Sequence, residues 1–338
     1  MRTFSPTTED LFIAKKGRVS RGLARAKLPH RATHSDRSAR LGELEAEQQR
    51  EQREQLIRVT IANRSFETHF QPIVDLRSGQ PVGAEALSRF AHLPARAPDA
   101  WFAAAASVGL GVELELAALD MALEQLHLLP AGLYLSLNAS VETIMSKQFG
   151  ATLAGAPAER IVLELTEHTR VDDYQKFEQS IEAIRSKGVR LAVDDAGAGY
   201  SSLQHILNLQ PDVIKLDIGL TRGIDKDPAR RALGRALLTF GLDAYKASIV
   251  AEGIETEGEF ETLRALGCPL GQGFFLGRPG RMPAKRPASA GSTLALLPSP
   301  DAGVASPLLW PQPRTGFDGQ VDEVAERLAS EPGQPRTA

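Results

Sequence analysis

Cysteine and long apolar runs are nearly absent from this chain of 338 residues. The single cysteine, Cys268, cannot form an internal disulfide, which fits a reducing compartment. No apolar stretch reaches the roughly 18 residues that a membrane-spanning helix needs. The N-terminus also lacks an apolar core followed by a small-residue cleavage site. These absences predict no membrane span, no secretory signal and a cytoplasmic location.

Charge is nearly balanced over the whole chain, with a net value of -3, but it is unevenly distributed. Residues 1–40 carry ten Lys or Arg against three Asp or Glu, a local balance of +7. A basic arm can attract nucleic acid or an anionic membrane surface. This one has few aromatic residues and no recognition helix. We therefore interpret residues 1–42 as a solvated, disordered arm and expect no nucleic-acid polymer as a partner.

Two further segments flank the central region. Residues 43–60 mix both charge signs with good helix formers, which predicts an exposed linking helix; the end of a coiled-coil connector is the alternative. Residues 281–338 form a Pro-rich stretch that predicts a disordered tail. Apolar residues at helical spacing within it fit either a partner-binding helix or a transient helix without a role: Val321, Val324, Ala325 and Leu328.

Residues 61–280 alternate between strand-like and helix-like segments. The first two strands, at 69–76 and 81–90, are joined by a Ser-Gly turn that indicates a hairpin. Six later segments have the character of buried strands separated by helices: LYLSLN, RIVLELTE, RLAVDD, DVIKLD, SIVAEG and LGQGFF. Such alternation requires parallel pairing through right-handed crossovers. About eight strands predict an α/β fold of the TIM-type (β/α)8 class, with a doubly wound open sheet as the alternative.

Polar residues stand at or near one end of nearly every predicted strand. They are Glu85, Asn138, Glu164, Asp194, Asp195, Lys215, Glu252 and Gln272. A barrel would gather these ends in one ring, where its chemistry is found. Carboxylates that converge repel one another unless cations neutralise them. Because Asp, Glu and Asn offer hard oxygen donors without His or Cys, the pattern predicts a site for Mg²⁺ or Mn²⁺.

Three of these residues admit two interpretations. Adjacent Asp194 and Asp195 can supply one bridging and one private ligand to a pair of ions, whereas Asp195 or Ser201 can cap the following helix. Lys215 shares a strand face with the predicted site, where it either neutralises the acids or orients an attacking water. His205, alone on a predicted helix, is interpreted as structural.

The ordered motifs FQPIVDL, GAEALSRF, LSLN, LELTE, VDDAGAGYSSL, DVIKLD, VAEGIE and GQGFFLGRP are similar to those of the EAL-domain phosphodiesterases. The resemblance covers about residues 60–280. It implies a modified barrel with an antiparallel first strand pair that works as a homodimer. It also implies hydrolysis of one 3'-5' phosphodiester of cyclic di-GMP to linear pGpG with two divalent ions. A silent cyclic di-GMP receptor that signals through a partner protein is the main alternative, and a pure scaffold is a third.

The resemblance implies a role for each matching residue. The ligands of a first metal ion are Glu85, Asn138, Glu164 and Asp194. Asp194 would bridge to a second ion with Asp195 as its own ligand, and Lys215 and Glu252 would position and activate the hydrolytic water. The positions near the substrate are Gln71, Pro72, Arg89 and Gln272. The supporting residues around the metal ligands are Glu167, Glu255 and Asp217.

Three positions depart from the family pattern. Ala196 and Ala198 stand where the family has phenylalanine and threonine, and Phe90 stands where it has tryptophan. None of these changes removes a predicted ligand. We expect the altered loop to affect the catalytic rate or its regulation more than the ability to catalyse the reaction. Because the sequence contains neither a diguanylate cyclase motif nor a recognisable sensor domain, regulation is expected through the termini, dimerisation or a separate protein.

Overall fold

The computed structural model describes residues 34–90, 97–165, 174–197 and 206–281, except for the side chains of 34–39 and 41. Its contacts divide the chain into residues 1–49 and a second unit that begins at Arg50 and contains the barrel. The arm as far as residue 33, the tail from residue 282, and Glu167, Ala198, Ser201 and His205 lie outside the described residues.

Eight described strands close into a barrel in chain order. Their bounds are β1 Glu67–Asp75, β2 Pro81–Arg89, β3 Tyr134–Asn138, β4 Ile161–Leu165, β5 Arg190–Ala196, β6 Val213–Leu216, β7 Ser248–Ala251 and β8 Leu270–Gly271. Strand β1 is antiparallel to both β2 and β8, and the other neighbouring pairs are parallel. The predicted barrel with an antiparallel first strand pair is therefore confirmed, and the open sheet is excluded.

Helices precede and connect the strands. Their bounds are α1 His34–Ala62, α2 Pro98–Ser107, α3 Gly111–Leu123, α4 Val141–Ile144, α5 Phe149–Thr152, α6 Tyr174–Arg185, α7 Ile218–Thr221, α8 Pro228–Thr239 and α9 Glu257–Ala265. A π-helical turn, Phe240–Ala244, follows α8, and short 3-10 helices cover Leu126–Leu128 and Ala158–Arg160. In the described residues no helix combines the length and the apolar character that crossing a bilayer requires.

The hairpin between β1 and β2 forms for local reasons. The Asp75 carboxylate accepts the backbone N–H groups of Arg77 and Ser78, at 3.0 and 2.6 Å. Gly79 then adopts a φ of 67°, which residues with a Cβ avoid. Because a turn this short returns the chain beside itself, β2 runs opposite to β1.

Two element bounds differ from the sequence-based prediction. Helix α1 begins at His34, within the segment predicted as a disordered arm, because residues 34–42 contain no proline and a single Gly42 costs only about 1 kcal/mol. The strand predicted over 270–275 consists of Leu270–Gly271 alone. Gly273 adopts a φ of 157° and lies so close to Ile254 that a Cβ would overlap the Ile254 backbone. The chain therefore turns away from the sheet there.

Apolar side chains form layers on both sides of the barrel wall. Alternate strand residues such as Leu163, Leu191 and Ile214 pack outward against the helices. Interior residues of the opposite parity form a smaller central cluster: Ile73, Tyr134, Val162, Ala192, Val213, Val250 and Leu270. At β2 the interior position is Gly83, where a Cβ would lie 2.6 Å from the Tyr134 ring. The barrel interior is thus filled below the level of the polar residues.

Candidate active site

A polar layer lies directly above the apolar interior, on the side towards the carboxyl ends of the parallel strands. Because side chains two residues apart share a strand face, each interior apolar residue is followed by a polar one. Val162 precedes Glu164, Ala192 precedes Asp194, and the same step leads to Lys215, Glu252 and Gln272 from Val213, Val250 and Leu270. The alternation that builds the barrel therefore also gathers these groups at one mouth.

Lys215 occupies the centre of this layer and is 1% exposed. Its Nζ atom lies 2.7 Å from Glu252 Oε1 and 2.8 Å from Glu164 Oε2. It lies 3.3 Å from Asp194 Oδ1 and 3.5 Å from Glu85 Oε2. Four carboxylates from four different strands or strand ends thus meet at one ammonium group.

Amide side chains connect Glu85 to the neighbouring strands. Asn138 Nδ2 donates to Glu85 Oε1 at 2.9 Å, and Gln272 Nε2 donates to Glu85 Oε2 at 2.6 Å. Gln272 Nε2 also reaches Gln71 Oε1 at 3.1 Å, and Gln71 Nε2 donates to the Gly277 carbonyl at 3.1 Å. These bonds fix the Glu85 carboxylate across the junction of β1, β2 and β8.

Asp194 and Asp195 lie at an irregularity in β5. In a regular strand two adjacent side chains would point to opposite faces. Asp195 instead adopts a φ of 54°, and the pairing of β5 with β6 shifts between Val193 and Ala196. Oxygen atoms of Asp194, Asp195 and Glu252 consequently lie within 4.8 Å of one another. Residues 198–205, where Asp195 was alternatively expected to cap a helix, lie outside the described residues.

Burial and mutual repulsion perturb the carboxyl groups strongly. Burial raises the pKa of Glu252 to about 8, with Lys215 opposing and Asp194 adding to the rise. Burial and the charge of Glu85 hold the pKa of Glu164 well above its usual range. Burial would also raise the pKa of Glu85, but Lys215 and amide hydrogen bonds lower it overall. Burial alone would lower the pKa of Lys215, but the surrounding carboxylates raise it well above its ordinary value, so it stays protonated.

The residues of this mouth fit divalent cations. One ammonium faces four carboxylates, those of Glu85, Glu164, Asp194 and Glu252, and Asp195 lies beside the last two, so the ionised site carries excess negative charge. Buried excess charge of this kind is relieved by protons or by cations. The spacing of Asp194, Asp195 and Glu252 suits oxygen coordination, and the donor set contains only hard ligands.

Other predicted site residues have different surroundings. Half-buried Arg89 donates to the Ser88 carbonyl at 2.9 Å, and Pro72 lies against Gly277, where a Cβ would overlap its ring. The Asp217 carboxylate caps α7 by accepting the Gly219 N–H at 2.8 Å. Glu255 forms an ion pair with Arg222 at the surface. Neither of the last two has a described contact with the carboxylates around Lys215.

Ser136 is a member of the polar layer that the sequence interpretation missed. Its hydroxyl donates to Glu164 Oε1, and it is 1% exposed. The signal was present in LYLSLN, because Ser136 is two residues before Asn138 and shares its strand face. Serine is common in loops and strands alike, so its type alone did not distinguish it.

A profile of the EAL domain matches residues 53–279. This chain belongs to the EAL domain family. The matched span includes the whole barrel and the last part of α1.

Several known proteins are similar to this EAL domain. The bifunctional diguanylate cyclase/cyclic di-GMP phosphodiesterase MucR of Pseudomonas aeruginosa is 32% identical over 243 residues, which cover 68% of this chain and 35% of that protein. A structure of the PaMucR phosphodiesterase as a c-di-GMP complex has a TM-score of 0.62 at 30% identity, covering 68% of this chain and 98% of that one.

A manganese/cy-diGMP complex of Klebsiella pneumoniae BlrP1 has a TM-score of 0.57 at 28% identity, covering 64% of this chain and 56% of that one. The EAL domain described here spans only about a third of the curated relatives it matches, such as MucR at 35%. Their remaining parts have no counterpart in the alignment.

Proposed function

We propose that this EAL domain hydrolyses one 3'-5' phosphodiester of cyclic di-GMP to linear pGpG, using two divalent ions, Mg²⁺ or Mn²⁺. The observation that carries the proposal is the meeting of four carboxylates at one protonated lysine in the barrel mouth, with Asp195 beside two of them. The similar PaMucR and BlrP1 structures are described as complexes with this dinucleotide, the latter with manganese. A cytoplasmic location remains a prediction of the sequence.

The ligand assignment is the one that the resemblance to EAL domains implies. Glu85, Asn138, Glu164 and Asp194 would hold one ion, and Asp194 and Asp195 would hold the second. When bound, such a pair stabilises the charge on the phosphate oxygens and lowers the pKa of a coordinated water. The irregular backbone at Asp195 supports the assignment, because it turns two consecutive carboxylates to one side.

The remaining residues act on water and substrate. Lys215 holds Glu252 through Oε1 at 2.7 Å, which orients the other carboxylate oxygen to accept a proton from the attacking water. The same ammonium offsets charge that builds on the phosphoryl oxygens. Gln71, Pro72, Arg89 and Gln272 would contact the dinucleotide, and the Arg89 guanidinium can donate two hydrogen bonds to a phosphate. Glu167, Glu255 and Asp217 would support this arrangement from outside the carboxylate cluster.

A homodimer and a regulatory partner that contacts the termini belong to the same proposal. The alternative function is that of a silent receptor, which would bind cyclic di-GMP without cleaving it. No described ligand position has lost its donor atom, and this favours the enzyme.

The decisive experiment is incubation of the full chain with cyclic di-GMP and Mg²⁺ or Mn²⁺, followed by chromatography of the products. We expect pGpG from the wild type, and at least a hundredfold lower turnover from Glu85→Ala and Asp195→Asn. The matched control is Glu113→Ala, which removes an exposed carboxylate of α3. Folded wild-type protein that binds the dinucleotide but yields no pGpG with either metal would establish the receptor instead.

A further inference from the structure

Ser136 occupies a position that is apolar in the strands that follow it. In β4 to β8, the residues two places before the polar side chains of the mouth are Val162, Ala192, Val213, Val250 and Leu270. In β3 the corresponding residue, two places before Asn138, is Ser136, which pairs with Val162 in the parallel register. A buried hydroxyl destabilises the fold unless it forms a hydrogen bond. The serine therefore requires a partner inside the barrel.

That partner is the carboxylate of Glu164. The Ser136 hydroxyl donates to Oε1, and Lys215 Nζ donates to Oε2 at 2.8 Å, so the two oxygens accept bonds from two different strands. Ser136 is 1% exposed and Glu164 is 0% exposed. Bulk water therefore does not reach the carboxylate to replace a hydrogen bond that is lost.

The two donors together fix the orientation of this carboxylate. A carboxylate that is held at one oxygen can still rotate about the bond to its methylene group, whereas donors at both oxygens define its plane. Each oxygen keeps a further lone pair for another contact. Lys215 cannot fix the plane alone, because it contacts one oxygen of Glu164 and is shared with three other carboxylates.

We infer that Ser136 is a positioning residue for Glu164, which it holds in the orientation that binds the first divalent ion. The inference rests on the proposed function, because that function makes Glu164 a ligand of the ion. Partners of this kind orient metal ligands, and their removal typically weakens metal affinity by about 10- to 100-fold. The role of Ser136 is thus in cation binding and not in the chemistry at phosphorus.

Binding of Mn²⁺ to the full chain in the absence of nucleotide tests this role directly. The signal of the free ion in electron paramagnetic resonance gives the Kd without any turnover. Ser136→Ala should raise the Kd for Mn²⁺ by about 10- to 100-fold, because the Glu164 carboxylate loses one of its two donors.

A matched pair of variants separates the hydroxyl from the packing of the side chain. Ser136→Thr and Ser136→Val introduce side chains of nearly equal volume, of which only threonine carries a hydroxyl. Threonine should retain most of the wild-type affinity for Mn²⁺, and valine should lose as much as alanine does. A role in packing alone would give the two variants the same Kd.

The dependence of hydrolysis on Mn²⁺ provides a second comparison. In Ser136→Ala, the Mn²⁺ concentration that gives the half-maximal rate should rise by the same factor as the Kd. At saturating Mn²⁺ we expect kcat and the KM for cyclic di-GMP to change little. Ser248→Ala is the control, since Ser248 is also a buried strand serine but comes four residues before Glu252. It should change none of these constants.

The inference is overturned if Ser136→Ala binds Mn²⁺ as tightly as the wild type, or if Thr and Val at this position give equal Kd values. If the valine variant does not fold, threonine must bind Mn²⁺ more tightly than alanine, and equal values would overturn the inference. A wild type that binds no Mn²⁺ would instead refute the cation site of the proposed function. The two failures are therefore distinguishable.

Discussion

Lys215 determines the charge balance of the mouth. Its burial is tolerated because four carboxylates lie within 3.5 Å of Nζ, and they hold the pKa of this lysine above its ordinary value despite desolvation. The lysine cannot neutralise all of them, and the raised pKa values of Glu164 and Glu252 express the remaining repulsion. The single ammonium group thus leaves negative charge at the mouth that further cations can neutralise.

Gly253 directly follows Glu252, whose carboxylate pairs with Lys215. It has a φ of 65°, and a Cβ there would overlap the Ile218 side chain. We expect Gly253→Ala to displace Glu252 from Lys215 and to lower kcat by about a hundredfold, because small misplacements of reacting groups are costly. Steady-state kinetics with cyclic di-GMP measure this effect.

Gly132→Ala is the matched control for Gly253→Ala. Gly132 has a φ of 87°, but nothing lies within 4 Å of a Cβ added there. Gly132→Ala should lower the free energy of unfolding by about 1–3 kcal/mol through backbone strain and leave kcat unchanged. Equal kcat values for the two variants would show that the contact with Ile218 does not position Glu252.

Residue types and strand parity sufficed to predict part of the group of side chains that meet at the mouth. The positions of Glu164, Lys215 and Glu252 follow from the two-residue repeat of their strands. The left-handed backbone at Asp195 could not be derived in the same way, because it depends on pairing with β6 and not on local propensity. Ser136 was missed because a lone hydroxyl acquires its importance only from Glu164.

At the scale of elements, the end of α1 packs into the barrel unit. Ile57 is fully buried in a cluster with Phe66, Phe90 and Trp101. The Phe90 ring stacks on Trp101 with centroids 5.0 Å apart and planes 14° apart. Phenylalanine at position 90, which departs from the family pattern, therefore still fills an aromatic site. This cluster connects the last turns of α1 to the residue that follows Arg89.

Ile57→Ala should lower the free energy of unfolding by about 2–5 kcal/mol, because it leaves a cavity among buried aromatic rings. Val59→Ala, on the same helix at a position that is 42% exposed, should change it by no more than about 0.5 kcal/mol. Urea denaturation of both variants provides the comparison. Equal changes in the free energy of unfolding for the two variants would mean that the buried face of α1 does not stabilise the protein more than its exposed face does.

Glu259 in α9 predicts a pH dependence of stability. Burial would raise its pKa, but the backbone N–H groups of Gly223, Glu255 and Thr256 lower it below 4.5 overall. A lowered folded-state pKa stabilises the protein above about pH 4.5, and this contribution is lost as the pH falls through the folded value. Glu259→Gln should therefore be less stable than wild type at pH 7 by about 1–3 kcal/mol.

The difference in the free energy of unfolding between Glu259→Gln and wild type, measured by urea denaturation, should shrink at pH 3.5. Glu261→Gln serves as the control on the same helix, because its carboxylate lies at the surface in a pair with Arg264. A constant difference across this pH range would refute the role of the Glu259 charge.

The presence of each helix and strand was easier to predict than the residues at which it begins and ends. The hairpin and the helix-separated strands follow from turn residues and apolar runs. The early end of β8 does not, because the close approach of Gly273 to Ile254 is a contact between distant parts of the chain. The early start of α1 was obscured by its polar composition, which fits a helix and an extended arm equally well.

At the scale of the whole molecule, the single cysteine reports on the integrity of the barrel. Cys268 is 4% exposed, and burial raises the pKa of its thiol to about 12, so almost no thiolate is present at pH 8. We expect a thiol reagent to modify the folded protein only through unfolding. The rate should fall about a hundredfold when Mg²⁺ is present at 100 times its Kd, provided that it binds only the folded state.

Labelling at low urea concentrations, followed by mass spectrometry, measures this rate. A short peptide that contains one cysteine gives the rate for a freely accessible thiol. Native Cys268 that reacts as fast as the peptide would contradict the buried environment. A rate that is unaffected by Mg²⁺ and by Mn²⁺ would count against a cation site in the folded barrel.

The reversed direction of β1 determines where the domain is connected to the rest of its chain. Glu67, at the start of β1, pairs with Arg89 at the end of β2, so the polypeptide enters the barrel at the rim that carries the carboxylate cluster. Arg281, the last described residue, forms an ion pair with Glu67 at that same rim. The chain therefore enters the barrel and leaves it at the same rim through which a substrate would reach the carboxylates. Glu67 and Arg281, the two bounds of the barrel, therefore adjoin the entrance, where steric control of access needs no long-range signal.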